Sequence, residues 1–75
     1  MITVLHFNAM LIDEQAKITI KGNFIDDRIA GKLTVQLYRL DHFYVEVFYD
    51  AEKNEIIRYE GFMDTNRLAP YIRLN

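Results

Sequence analysis

The stretch that decides the fold is residues 33–62, which read LTVQLYRL (33–40), DH (41–42), FYVEVFYD (43–50), AEKN (51–54) and EIIRYEGF (55–62). The three longer runs are rich in β-branched and aromatic residues, which favour strands. Only short polar segments separate them, so consecutive runs are expected to pair as neighbours. The pattern predicts an antiparallel meander, in which Asn54 takes the left-handed conformation of its turn.

A further strand is predicted upstream of the meander, over Asn23–Ile29. Gly31 follows it and can adopt the positive φ that a tight hairpin requires, so this strand is expected to pair with the next one. Two adjacent carboxylates, Asp26 and Asp27, lie in its middle. Charged side chains are common on strands at the edge of a sheet, and we therefore place this strand at the edge.

The N-terminal segment has the apolar spacing of a helix. Apolar residues between Thr3 and Ala16 recur every three or four positions, and Thr3 is a candidate N-cap. We predict one helix that ends at Ala16 or Lys17. Residues 17–22 fit two alternatives, because they alternate like a strand while Gly22 is also suited to end a longer helix.

A short C-terminal helix is predicted after Phe62, with Asp64 or Thr65 as its N-cap. Pro70 is expected in or near its first turn, since a proline deeper in a helix costs about 3 kcal/mol. The predicted fold class is α+β: an N-terminal helix, an antiparallel meander sheet of about four strands and a short C-terminal helix, in a single small globular domain (residues 1–75). The alternative is a small, strongly bent β-barrel with helical ends.

The register at the turn Asp41-His42 determines which residues share a face of the sheet. A two-residue loop would place Leu37 opposite Glu46, whereas a loop of odd length places the odd-numbered residues of both strands together. We favour the odd length, because a sheet with one buried face requires its apolar residues on that face. The predicted core is then Leu33, Val35, Leu37, Phe43, Val45, Val47, Tyr49, Ile57, Tyr59 and Met63.

The even-numbered face mixes aromatic and charged residues, so it is too aromatic for a plain solvated face and too charged for a plain core. Glu46 and Arg58 on this face form either an exposed ion pair or the rim of an interface. The predicted interface residues are Tyr38, Tyr44, Glu46, Phe48, Arg58 and Phe62. Glu46 is expected to oppose Arg58, because the other register would place it opposite Glu60 and like charges repel. The sequence therefore predicts a non-catalytic interaction module that forms a homo-oligomer or docks on a larger protein, unless one of the helices covers this face and leaves a satisfied monomer.

Composition excludes several other classes. The chain has 75 residues, with 9 basic and 11 acidic side chains and a net charge of −2, so no basic stripe indicates nucleic-acid binding. The apolar start MITVLHFNAMLI lacks the features of a signal peptide and is too short to span a membrane. Cysteine is absent, which suits a cytoplasmic protein and leaves no disulfide to stabilise a small domain.

The usual catalytic groups are scarce. Serine and cysteine are both absent, which excludes the common hydroxyl and thiol nucleophiles. A zinc site would need both histidines, His6 and His42, together with carboxylates from unrelated segments, so we predict no metal and no other cofactor. The alternative function is a small-ligand or catalytic site on the open sheet face near Tyr38, Tyr44 and Arg58.

Several of these residues form a recognisable pattern. The pairs Leu37-Tyr38 and Tyr49-Asp50, the run Phe43–Val47, and Leu68 with Pro70-Tyr71 resemble a group of short uncharacterised bacterial proteins with LY, FYVEV, YD and L-x-PY motifs. The resemblance covers roughly the last two thirds of the chain. It implies a compact unit of helix, sheet and helix, and it carries no catalytic residue to this sequence.

Overall fold

The computed structural model describes residues 2–72, so Met1 and residues 73–75 of the predicted domain lie outside the described part. The elements are α1 (Val4–Ala9), α2 (Ile12–Thr19), β1 (Asn23–Ala30), β2 (Leu33–Arg39), β3 (Tyr44–Asp50), β4 (Glu55–Phe62) and the 3₁₀ helix η1 (Thr65–Tyr71). The strands form one antiparallel sheet in the order β1-β2-β3-β4. The α+β meander predicted from the sequence is therefore confirmed.

The N-terminal segment forms two helices, so the prediction of a single helix is wrong. Thr3 caps α1 as expected, because its hydroxyl accepts a hydrogen bond from the amide of His6 at 3.1 Å. The chain is extended at Met10 (φ −76°, ψ 159°), which separates the helices. At the break the carbonyl of Phe7 accepts two hydrogen bonds, from the amide of Met10 at 3.1 Å and from the side chain of Gln15 at 2.9 Å.

The second helix continues through Thr19, which decides between the two alternatives for residues 17–22 in favour of helix followed by a turn. At the other end of the chain, Asp64 caps η1 by accepting a hydrogen bond from the amide of Asn66 at 2.9 Å. Pro70 lies near the end of η1, so its predicted place in the first turn is wrong. Pro70 is exposed, and the next bond, from the amide of Ile72 to the carbonyl of Ala69, still forms.

The β2–β3 hairpin has a two-residue loop at Asp41-His42, and the predicted odd-length loop is wrong. The amide of Leu40 donates to the carbonyl of Phe43 at 2.9 Å across the turn, and Leu37 lies opposite Glu46. The prediction assumed that only one face of the sheet is buried. In the structure β3 is buried on both faces, so its apolar residues need not share one face.

One face of the sheet, here called the helix face, packs against α1 and α2. Its core is Phe7 of α1 with Phe43, Val45 and Val47, and the rings of Phe7 and Phe43 lie 5.5 Å apart at 58°. Val47 is directly opposite Tyr59 in β4, which packs against the same core. The helices thus cover mainly the β3–β4 side of this face.

The other face, here called the ionic face, is crossed by η1. Val35 and Leu37 belong to it, because they lie opposite Phe48 and Glu46 of β3, and all four residues are buried. The predicted core is therefore divided between the two faces. Ile57, also predicted as core, is part of an irregularity in the β3–β4 pairing and is partly exposed.

Met63 was predicted as core as well, but its side chain is exposed just beyond the end of β4. The turn residues agree with expectation. Asn54 has a φ of 52° in the β3–β4 turn, and Gly31 has a φ of 61° at the first position of the β1–β2 turn, where few other residues are tolerated.

Both edges of the sheet meet polar side chains. At the β4 edge, the Asn8 amide of α1 donates to the carbonyl of Gly61 at 3.0 Å and its oxygen accepts from the Gly61 amide at 2.7 Å. At the β1 edge, the Asp27 amide donates to the Asp26 carboxylate at 2.8 Å. Asp26 and Asp27 thus lie on an edge strand, as predicted.

Candidate functional site

The most unusual group of the ionic face is Glu46, a carboxylate in the middle of β3 with only 1% of its surface exposed. Its Oε2 accepts hydrogen bonds from Arg28 (Nε at 3.1 Å and Nη2 at 3.0 Å) and from the Tyr71 hydroxyl at 2.6 Å. Its Oε1 accepts from Arg67 Nη2 at 2.8 Å. Burying a carboxylate is costly unless it is paired, and here donors from β1 and η1 surround it.

The ionic network continues to β4 through Arg67. The same Nη2 of Arg67 also donates to Glu60 Oε1 at 2.8 Å, and Arg58 donates to the other oxygen of Glu60. Glu46 lies directly opposite Glu60, so the predicted pairing of Glu46 with Arg58 is wrong. The register is tolerated because Arg67 lies between the two carboxylates and neutralises their repulsion.

The pKa values of this cluster reflect the pairing. Partial burial by itself raises the pKa of Glu60, but hydrogen bonds from Arg58 and Arg67 outweigh burial and lower it from its usual range. The pKa of Tyr71 is raised, first by burial and then by its hydrogen bond to Glu46, whose negative charge disfavours a phenolate. Both shifts stabilise the protonation states that hold the network together at neutral pH.

Aromatic rings surround the guanidinium groups of the network. The Arg58 guanidinium carbon lies 3.9 Å from the centre of the Phe48 ring, and that of Arg67 lies 4.4 Å from the centre of Phe62. Contacts of this kind contribute about 0.5–2 kcal/mol each. The arginines therefore cover the aromatic surface of the ionic face and pair the carboxylates at the same time.

This arrangement is suited to holding the chain together. Both oxygens of Glu46 are occupied by donors of the same chain, and Glu46 lines neither of the two clefts described below. General acid–base catalysis needs a group that can reach a substrate proton, and Glu46 offers no such access. The network instead joins η1 to β1, β3 and β4.

The structure divides the six predicted interface residues. Five of them lie on the ionic face, and there Glu46, Phe48 and Phe62 are buried while Tyr44 stacks on Phe62 with ring centres 5.6 Å apart. Tyr38 lies on the helix face, where its ring meets that of Phe24 edge-on at 5.7 Å. The separation follows from the even register of the β2–β3 hairpin. The helix η1 lies over the aromatic residues of the ionic face, as in the alternative in which a helix covers that face.

The sequence does not indicate Arg28, Arg67 or Tyr71 as partners of Glu46. They are 18, 21 and 25 residues away from it in sequence, so no local pattern connects them. The available signal was Glu46 itself, the single acid within the otherwise apolar run FYVEVFY (residues 43–49). A carboxylate at the centre of such a strand requires cations from elsewhere in the chain.

A cleft of about 560 Å³ lies between the end of α2 and the Asp41-His42 turn. Apolar side chains such as Ile18 and Phe43 line it together with the basic residues Lys21 and Arg39. A smaller cleft of about 280 Å³ shares the turn residues. Of the three residues near which the alternative ligand site was predicted, Tyr44 lines the smaller cleft, while Tyr38 and Arg58 line neither.

The described residues also leave much apolar surface in solvent. On β1, the side chains of Phe24, Ile25 and Ile29 are 52%, 49% and 73% exposed, and we call these three residues the β1 patch. Phe24 and Ile29 lie opposite Tyr38 and Thr34, which places them on the helix face beyond the area that α1 and α2 cover. Leu5 of α1 is exposed as well, and so are Leu11 and Ile20, which cap the two ends of α2.

Within residues 2–72 there is no cluster of three or more histidine and carboxylate side chains that could hold a metal ion. None of the helices in this range has the length and apolar character needed to cross a bilayer. Comparison with protein-family models, curated proteins and solved structures finds no match to this chain.

Proposed function

We propose that the protein is a non-catalytic interaction module that self-associates, and that a second copy of the chain docks on the β1 patch. The observation that carries the proposal is the exposed apolar side chains of this patch, Phe24, Ile25 and Ile29. Exposed large apolar side chains gathered on one strand are a candidate interaction site. Asp27 shares the face of Phe24 and Ile29 and lies between them, so it would lie within the contact. The cytoplasmic location expected from the cysteine-free sequence is part of the same proposal.

The total surface of the molecule supports the proposal. Its accessible surface is 5448 Å², whereas a compact monomer of 8.9 kDa is expected to expose about 4,800 Å². The difference is about 600 Å², so the molecule leaves more surface in solvent than a compact chain of this mass. The molecule is also flat, measuring 37 × 30 × 17 Å, because α1 and α2 cover only part of the helix face.

The β1 patch is better suited to docking than the ionic face. On the ionic face Phe48 and Phe62 are already buried beneath arginines of the same chain, so a partner would gain little apolar contact there. We propose contact through side chains and not strand addition, because the charged residues Asp26 and Asp27 lie on this edge strand and charges on an edge disfavour pairing with another strand. Two copies can therefore pack face to face.

A second copy is the simplest occupant of this surface. Most soluble oligomers are symmetric, and a twofold contact pairs a patch with itself. The chain has a net charge of only −2, so repulsion between copies is small. A larger partner would use the same residues, and the experiment below distinguishes it from self-association.

The test is light scattering coupled to size exclusion across micromolar to millimolar concentrations. We expect the wild type to shift from monomer to dimer and Ile29→Lys to remain monomeric with an unchanged melting temperature, since the Ile29 side chain is mostly in solvent. Met63→Lys is the matched control, because Met63 is also exposed but lies beyond the opposite edge strand, and it should dimerise like the wild type. A wild type that is monomeric throughout, or equal dimerisation of both variants, contradicts the proposal.

A further inference from the structure

We infer that η1 is a hinged strap, which leaves the ionic face as a unit while the sheet and the core of the helix face stay folded. Its opening uncovers buried apolar side chains of the ionic face. Opening does not depend on self-association, because η1 lies on the opposite face from Phe24 and Ile29 of the β1 patch. Three features of η1 carry the inference: its shallow attachment, the arginines that remain with the carboxylates when it leaves, and its exposed link to β4.

The attachment of η1 to the sheet is shallow. None of its seven residues is buried, whereas α1 inserts the fully buried ring of Phe7 into the core of the helix face. Within residues 2–72, two side chains of η1 hydrogen-bond to the sheet. Arg67 donates to Glu46 and Glu60, and the Tyr71 hydroxyl donates to the first of these. A segment that buries little of its own surface is expected to open locally, and the weaker hydrogen-bond geometry of a 3₁₀ helix favours this further.

Opening leaves neither carboxylate of the network without a cation. Glu46 keeps Arg28 of β1, whose Nε and Nη2 lie 3.1 and 3.0 Å from its Oε2. Glu60 keeps Arg58, which belongs to its own strand. Once η1 has left, water replaces the hydrogen bonds that η1 donated and screens the repulsion between the two acids. The large cost of an unpaired buried charge is therefore avoided.

The link between β4 and η1 is suited to act as a hinge. β4 ends at Phe62, and the two residues that separate it from η1, Met63 and Asp64, are both exposed. The backbone bond from the amide of Arg67 to the carbonyl of Asp64 is internal to this end of the segment. A rotation at Met63 therefore moves η1 without breaking that bond.

The surface that opening uncovers is apolar. One end of η1 lies over Phe62 of β4, and Tyr71 at the other end lies near Arg28 of β1. Because β3 and β2 lie between these two strands, η1 crosses both of them. Val35 and Leu37 of β2 are buried on this face, and they become accessible when η1 leaves. The strap thus controls access to an apolar surface separate from the β1 patch.

Thiol labelling tests the inference, because the chain contains no cysteine of its own. Val35→Cys and Val45→Cys place one thiol on each face, and both valines are fully buried on neighbouring strands. We expect iodoacetamide to reach position 45 only through global unfolding. Position 35 should react about tenfold faster or more, once each rate is corrected for the global stability of its variant. Equal corrected rates at the two positions overturn the inference.

A second pair of substitutions tests the attachment itself. Tyr71→Phe removes the hydroxyl that donates to the sheet, and it should speed labelling at position 35 by about fivefold, the effect of one hydrogen bond, with position 45 unchanged. Tyr49→Phe is the matched control, because it removes a hydroxyl whose hydrogen bond lies at the β3–β4 turn, and it should change neither rate. An unchanged rate at position 35 in Tyr71→Phe, or equal acceleration at both positions, overturns the inference. Leu37→Cys, buried on the same face, takes the place of Val35→Cys if that variant does not fold.

Discussion

Replacing Glu46 with Gln tests the central claim that a buried carboxylate holds the ionic face together. The substitution keeps the size of the side chain and removes its charge. Glu46 is 1% exposed and accepts hydrogen bonds from Arg28, Arg67 and Tyr71. In the variant, one of its two oxygens becomes an NH₂ group that faces a donor. Arg28 loses the carboxylate that pairs it, while Arg67 keeps its ion pair with Glu60.

The magnitude follows from the burial of the partners. Removing one member of a fully buried ion pair costs about 3–5 kcal/mol. The side chains of Arg28 and Arg67 remain 25% and 37% exposed, so water partly compensates them, and we expect a loss of about 2–4 kcal/mol. A domain of this length has a total stability of about 4–11 kcal/mol, so the melting temperature should fall by about 10–25 °C.

The assay is urea and thermal unfolding followed by circular dichroism, with Glu55→Gln as the matched control. Glu55 lies exposed at the start of β4, and its replacement should change stability by less than about 0.5 kcal/mol. Equal stability of the two variants would refute the reasoning, because it would mean that the charge of Glu46 contributes no more than that of a solvated acid.

Three further predictions concern other parts of the fold. Val47→Asp should unfold the domain in circular dichroism, because Val47 is buried in the core of the helix face and an unpaired carboxylate there costs several kcal/mol; a folded variant would contradict this. Gly22→Ala should lower the urea midpoint strongly, since its Cβ would lie 2.7 Å from a backbone carbonyl, and an unchanged midpoint would mean that the chain can move there. The pKa of Glu60 is lowered in the folded state, so the unfolded chain takes up its proton first as the pH falls. The stabilisation that Glu60 contributes is complete above about pH 4.5 and is lost as the pH falls through the lowered value. Melting temperatures of Glu60→Gln and the wild type should therefore converge at low pH, and a constant difference would contradict this.

The strands could be predicted from the sequence because their signals are local. Runs of β-branched and aromatic residues alternate with turns, and the turn residues Gly31 and Asn54 adopt the positive φ values that their types favour. The hairpin register could not be predicted in the same way. It depends on whether the second face of the sheet is covered, and η1 covers that face. The first residue of η1, Thr65, comes 19 residues after Glu46 in the sequence.

The candidate site illustrates the same limit. Glu46 could be singled out from its own strand, but local charge rules indicated Arg58 as its partner. In the structure Arg58 pairs with Glu60, and Glu46 is paired by Arg28 and Arg67 from the first strand and the last helix. Rules for pairs of residues on neighbouring strands take no account of a third segment that lies over the sheet. Here that segment is η1, and its Arg67 pairs with Glu46.

The bond between Asn8 and Gly61 joins residues that are 53 positions apart, and this separation affects how the chain is made. During synthesis α1 is produced early, but the backbone groups that its amide side chain binds belong to β4 and appear much later. Short helices are marginal on their own, and the core partners of α1 in β3 appear before its backbone partner in β4. Folding of this domain should accordingly be completed late, and a nascent chain halted before Gly61 should hold its first helix less firmly than the complete chain does.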